Sequence, residues 1–380
     1  MIAIAKVAQA APALRIDTIS SESELAQVKD SWDDLVRAMP RPSPFLLYDW
    51  MHEWWRHYGD GAELAVHVAR RGERLVGALP LCTRGRLGVR VSEFVGRSWA
   101  ALGDVLVAPG EEAAARPLVE HAFSSGVDYA SLFGLSASSR LAAALPPDAL
   151  TLIERLEAPV LDVSEGWDEV YRAKFSSKSR SERRRRMRQL EEWGSVECSI
   201  ARTPEELAPA LEEALHVHSL RWSDRRDPTG FGTEIGKRFH RAAILRLAES
   251  NISRIATIRL DGRAIAFALY LQLENRAYGL IMGFDPAFGR FGLGSEAKLQ
   301  SVEAAAEEGV TLVELLGANA DHKRRLTDRF DPIYQGIGLA RTRRGRAAAA
   351  ALLGGIRLRR AAKRSTTLRK LYYSIPLKRG

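Results

Sequence analysis

The amino-acid sequence predicts an α/β (α+β) protein of two domains, each a mixed, largely antiparallel, twisted sheet flanked by helices. Three observations lead there. Segments of helical and of strand-like hydrophobic period alternate along the chain instead of separating into blocks. After residue 250 the period switches from that of a helix to that of a strand, and three strand-like runs follow, joined by short turns. The chain has 380 residues, 46% apolar and 27% charged, which suits a globular protein of two domains plus an appendage.

In the first half, residues 22–39 place Leu25, Val28, Trp32, Leu35 and Val36 at helical spacing, and Pro40, Pro42 and Pro44 end the run. An aromatic-rich segment, 48–58, precedes strands expected at 64–69, 75–82, 89–95, 104–107 and 129–133. Arg71-Gly72 is a turn, and 111–125 and 139–144 are helices. This domain is expected to span residues 1–160.

In the second half, Ser176 or Ser177 can cap a helix that runs to Trp193 and stops at Gly194. Met187, Leu190 and Trp193 form its core face. Helices at 204–222 and 234–250 lead to a meander, 252–260, 264–273 and 277–283, turned at Asp261-Gly262 and Glu274-Asn275. A Gly-rich loop then opens a helix at 292–308, which Gly309 ends, and strands at 310–315 and 333–340 close a domain of residues 161–340.

The net charge of +9 is concentrated. Residues 341–380, a basic tail, hold thirteen Lys/Arg and no acid, and residues 172–188 hold nine against Glu182 alone. An anionic partner is expected to meet those two segments. Cys82 and Cys198 show no metal-ligand spacing and read as reduced core thiols, so no metal is expected. The short apolar run at residues 2–5 is no signal peptide and no run approaches the ~18 residues of a membrane span, which predicts a cytoplasmic protein.

The chemistry-bearing segment is the loop before the 292–308 helix. The first turn of a helix offers unpaired N–H groups and a positive dipole end, so Arg290, Phe291, Gly292, Leu293, Gly294 and Ser295 form a candidate diphosphate cradle, with Arg290 adding charge. Meander, loop, helix and strand in this order resemble the GNAT N-acetyltransferases, and the whole reads as tandem GNAT-like domains. The resemblance implies acetyl-CoA or another acyl-CoA as donor.

Residues 20–340 are more specifically similar to CelD-like proteins of cellulose and exopolysaccharide synthesis, themselves similar to Fem-type peptidyltransferases. The matching pieces include Phe291-Gly292-Leu293-Gly294, Glu314-Leu315-Leu316-Gly317, His322-Lys323, Leu79-Pro80-Leu81 and Arg221-Trp222. Gly289 and His322 stand where those families carry Arg or Gln and Tyr.

Acyl transfer to an amine needs a proton acceptor, an oxyanion partner and a proton for the thiolate. Glu314 is the candidate acceptor, Lys323 the oxyanion or acceptor-phosphate partner, and His322 the donor. Each also reads as an ordinary surface or salt-bridge residue. Arg180, Arg183, Arg221 and Trp222 are candidate substrate contacts, set against a solvated helix face and helix packing.

The expected function is an acyl-CoA-dependent acyltransferase on a sugar or a nucleotide- or lipid-linked acceptor of envelope polysaccharide. The alternatives are a Fem-type transferase using aminoacyl-tRNA and a non-catalytic scaffold or nucleic-acid-binding protein. The basic tail is expected to touch an anionic membrane surface, with nucleic acid or no partner as the other readings.

Overall fold

The computed structural model describes residues 12–97, 102–124, 126–222, 230–316 and 321–364. Strand β1 (Leu14–Ile19) leads to helices α1 (Glu22–Ala26), α2 (Lys29–Arg37) and α3 (Tyr48–Tyr58). Then come β2 (Ala62–Arg71), β3 (Arg74–Arg86), β4 (Val89–Phe94), the short β5 (Leu106–Val107), α4 (Ala115–Ala122), β6 (Tyr129–Ser136), α5 (Arg140–Ala144) and β7 (Leu150–Asp162). The second half has α6 (Trp167–Lys174), α7 (Ser177–Glu191), β8 (Val196–Ala201), α8 (Pro204–Trp222), α9 (Glu234–Glu249), β9 (Ser253–Leu260), β10 (Arg263–Leu273) and β11 (Arg276–Phe284). It ends with α10 (Leu293–Glu307), β12 (Leu312–Glu314), α11 (Asp321–Arg324), β13 (Phe330–Gly338) and α12 (Arg343–Arg364).

Local chemistry explains the boundaries. Ser21 and Glu24 form a capping box on α1, the Ser176 hydroxyl accepts from the Ser179 N–H at the start of α7, and Thr233 caps α9. Asp261 and Gly262 both have positive φ, 49° and 77°, the backbone that a two-residue hairpin turn requires.

The strands join in one sheet, ordered β1-β2-β3-β4-β6-β13-β7-β12-β11-β10-β9-β8. Each half repeats one plan. Four antiparallel strands, β1 to β4 or β8 to β11, pair in parallel with the next, β6 or β12. The last strands are then exchanged: β13, late in the chain, pairs with β6, while β7, from the first half, pairs with β12 through Val160, Leu161 and Asp162. β7 and β13 pair with each other along Leu150 to Pro159, which closes the seam. The mixed, largely antiparallel fold and its tandem plan match expectation; the exchange makes the two halves one sheet.

A core shared by both halves lies over the seam. Trp50 of α3 is fully buried with its ring 4.9 Å from Phe239 of α9, and its indole N–H donates to the Gly96 carbonyl. Arg246 of α9 also reaches Glu53 of α3 at 2.6 Å.

The structure adds elements that the periodicity leaves out: β1, β7, β8 and α6. β7 mixes Glu154, Arg155, Glu157 and Pro159 with its apolar residues, so it carries no clean alternation. Of residues 104–107 the second pair, Leu106–Val107, is strand; Asp104 instead accepts from the Ser139 hydroxyl and from the N–H groups of Arg140 and Leu141, fixing the start of α5. The start of the basic tail is part of the fold, since α12 packs Ala349 and Ile356 against Val91, Tyr129, Ile153 and Ile337. Cys198 is exposed, not core, whereas Cys82 is buried and its thiol is pushed up to about 12 by that burial. Trp193 is likewise 56% exposed.

Candidate active site

α10 begins at Gly292, whose φ of 71° is left-handed and whose missing Cβ would lie 3.2 Å from Arg186 Nη1. No side chain caps this helix start. Its first turn opens on a cavity of about 500 Å³ bounded by the α6–α7 junction, α7 and Arg325-Leu326. Five cations line it, Lys174, Arg183, Arg186, Lys298 and Arg325, against the carboxylates Glu182 and Glu296. Both carboxylates are engaged: Arg183 grips Glu296 through two bonds of 2.5 and 2.6 Å, and Arg186 reaches Glu182 at 3.1 Å. The cavity therefore keeps a positive excess beside a positive helix end.

Lys298 is 8% exposed. Burial, and secondarily the charge of Lys323, push its ammonium down to about 8. Burial does the same to Lys323, whose Nζ donates to the carbonyls of Leu315 and Leu316 at the end of β12. Sequence reasoning missed Lys298, although a lysine between Ala297 and Leu299 on a largely apolar helix was the available signal.

The other expected site residues divide. Gly292, Ser295 and Arg183 line the cavity. Phe291 also lines it while packing into the core, and Leu293 is buried beneath, alongside Leu190 and Ala297. Gly294 serves packing, since a Cβ there would lie 2.8 Å from the Phe284 ring. Arg290 is not among the residues lining the cavity; its guanidinium stacks 4.4 Å from the Trp193 ring and 4.7 Å from that of Phe291. Arg180 donates to the carbonyls of Arg172 and Phe175, stapling α6 to α7, and Arg221 lies over the Phe284 ring. Gly317 and the side chains of His322 and Trp222 lie outside the described residues.

Glu314 needs the largest correction. It is fully buried and its two oxygens are bound by Arg41, at 2.8 and 2.6 Å, and by Arg276, at 2.8 Å. Val313 and Leu315 face α10, so the carboxylate points to the other side of the sheet. With both oxygens held by guanidinium groups, the expected proton acceptor is an ionic pin that ties the segment after α2 to β11 and β12. Among the described residues no cluster of His, Cys, Asp or Glu could hold a metal ion.

Residues 177–324 match the family model described as an acetyltransferase (GNAT) domain. The likeness to GNAT acetyltransferase domains covers 148 of the 380 residues. The matched stretch contains α7, the meander, the open start of α10 and β12, and ten of the fifteen cavity-lining residues; Lys174, Phe175, Ser176, Arg325 and Leu326 lie just outside it. No curated protein matches the chain.

Among solved structures, FemX has a TM-score of 0.58 at 12% identity, covering 84% of this chain and 96% of its own. The C-terminal domain of a protein described as a lysylphosphatidylglycerol synthetase, from Agrobacterium fabrum, has a TM-score of 0.57 at 15% identity, covering 87% of this chain and 95% of its own. At such identities the likeness is one of fold.

Proposed function

We propose that the protein is an acyltransferase that takes its acyl group from coenzyme A, seated at the start of α10, and passes it to a sugar or a nucleotide- or lipid-linked envelope precursor. The uncapped helix end opening on a cationic cavity, within the GNAT-like stretch, is the observation that carries this reading. Backbone N–H groups and Arg186 suit a diphosphate, and Lys323 beside the end of β12 suits an oxyanion or an acceptor phosphate. Calorimetric titration with acetyl-CoA tests it: the wild type should bind and Arg186→Glu should bind at least about tenfold more weakly. A wild type that binds no acetyl-CoA overturns it.

A second reading, the aminoacyl transfer from tRNA that the resemblance to Fem-type transferases implies, is favoured by exposed Arg184, Arg185 and Arg188 on α7, the helix that borders the cavity. Steeply salt-dependent tRNA binding that competes with acetyl-CoA would favour it.

We further propose a peripheral contact with the inner face of the membrane. Leu358, 71% exposed, stands among Arg357, Arg359 and Arg360, and Arg155 lies close to the last two. No helix among the described residues is long and apolar enough to cross a membrane. The full chain should float with anionic vesicles at low salt, and the triple change of these three arginines to glutamate should abolish flotation.

A further inference from the structure

A buried ammonium normally has a carboxylate, a carbonyl or water around it, because removing the charge from water without a partner costs several kcal/mol. Lys298 has none of the first two: among the described residues no hydrogen bond or ion pair reaches its Nζ, while the rest of the side chain is enclosed by α10 and its neighbours. The charged groups around it cannot serve. On its own helix, Glu296 is taken by Arg183; on α7, Glu182 is taken by Arg185 and Arg186. Lys174 of α6, Lys323 of α11 and Arg325 beyond it are cations. The side chain lines the cavity, so the missing negative charge has room to enter.

We infer that Lys298 is the counter-charge for a second phosphate of the bound ligand, next to the group held at the start of α10, so that the cavity takes a diphosphate-bearing handle. Gly292, Ser295 and Lys298 line the same cavity, and a helical side chain leans back toward the helix start, so the ammonium and the first-turn N–H groups can face two linked phosphates. The inference rests on the cavity being the donor site proposed above, and extends it by naming the residue that reads the second phosphate. Coenzyme A and a nucleoside diphosphate sugar share this chemistry.

Calorimetry on the full chain separates the outcomes, with coenzyme A, UDP-glucose, inorganic pyrophosphate and phosphate-free pantetheine as probes. Lys298→Met keeps the length of the side chain and Lys298→Arg keeps its charge. The wild type should bind pyrophosphate and one of the two nucleotides. Lys298→Met should weaken both by about tenfold or more, Lys298→Arg should restore them, and pantetheine should bind far more weakly. Equal binding of coenzyme A by wild type and Lys298→Met sinks the inference and leaves the donor reading standing. Binding of UDP-glucose alone supports the inference and overturns that reading; no binding of any probe by the wild type overturns both.

Two measurements expose a merely structural lysine. Lys298→Met should melt at or above the wild-type temperature, because it removes an unpaired buried charge; a marked loss of stability overturns the inference. Wild-type affinity for whichever nucleotide binds should fall between pH 7 and 9 as the ammonium, held near 8, deprotonates, while Lys298→Arg stays flat. A flat wild-type profile overturns it as well.

Discussion

The units β4–α4–β6 and β11–α10–β12 share one topology: a strand, a helix, and a second strand in parallel with the first. No side chain caps either helix start; they differ in the charges nearby. Ahead of α4 the carboxylates are already paired within the approaching chain and sheet: Glu112 accepts from the Gly110 N–H at 3.2 Å, and Glu111 holds Arg71 and Arg74 at 2.6 Å each. At α10 the start is uncapped and arginines of α7 stand around it. The same backbone plan thus puts an uncapped helix start near internally paired carboxylates in one half and on a cationic cavity in the other. Topology positions the site, and a few side chains decide whether it seeks a ligand.

Breaking the tie between the halves should produce the largest effect. Glu314→Ala leaves the largely buried Arg276 without its partner and Arg41 with only Asp331, 3.5 Å away, which should cost about 3 kcal/mol. Because the halves share a sheet and a core, urea unfolding should remain a single transition at a lower midpoint; an unchanged midpoint would remove the pin from the account.

Next in size is a pH effect confined to the second half. Lys298 and Lys323 have an ordinary value of 10.5 and sit near 8 when folded, so between about pH 8 and 10.5 the unfolded chain binds more protons. Ligand-free stability contributed by these groups should therefore rise with pH across that window. The wild type minus Lys298→Met difference isolates the effect by denaturant melts at pH 7.5 and 10, and a difference that does not change with pH counts against it.

Two left-handed glycines, one at the start of α10 and one in the turn well before α4, can then be compared directly. Gly292 and Gly110 both have left-handed φ, 71° and 79°. Alanine at either should cost about 1 kcal/mol. Only Gly292→Ala crowds a functional neighbour, Arg186, and should also weaken acetyl-CoA; nothing lies within 4 Å of a Cβ at Gly110, so binding there should be untouched. Equal loss of binding in both variants would dissolve the contrast. Smallest of all, Glu111→Gln in the first half should leave acetyl-CoA affinity unchanged by calorimetry.

Much of this was legible in the residues. The meander from β9 to β11 followed from alternation and from Asp261-Gly262, and the start of α10 followed from Gly292. Strand β7 was not legible, because its polarity reflects a position at a seam where each face changes neighbour along its length. Helix α12 read as a charged tail because its short apolar stripe, Ala348, Ala349, Leu352, Leu353 and Ile356, lies between runs of arginine.

Site residues divide in the same way. The sequence alone determined that a glycine-started helix would follow the meander and that positive charge would gather at residues 172–188, since both are properties of neighbours along the chain. Tertiary structure alone decided that Arg186 of α7 stands over Gly292, that Arg290 is spent on Trp193, that Glu314 is held by Arg41 from the far half, and that Lys298 is enclosed without a partner. Those relations join positions far apart in sequence, and the free energy of a charge depends on which groups the fold brings within a few ångströms of it.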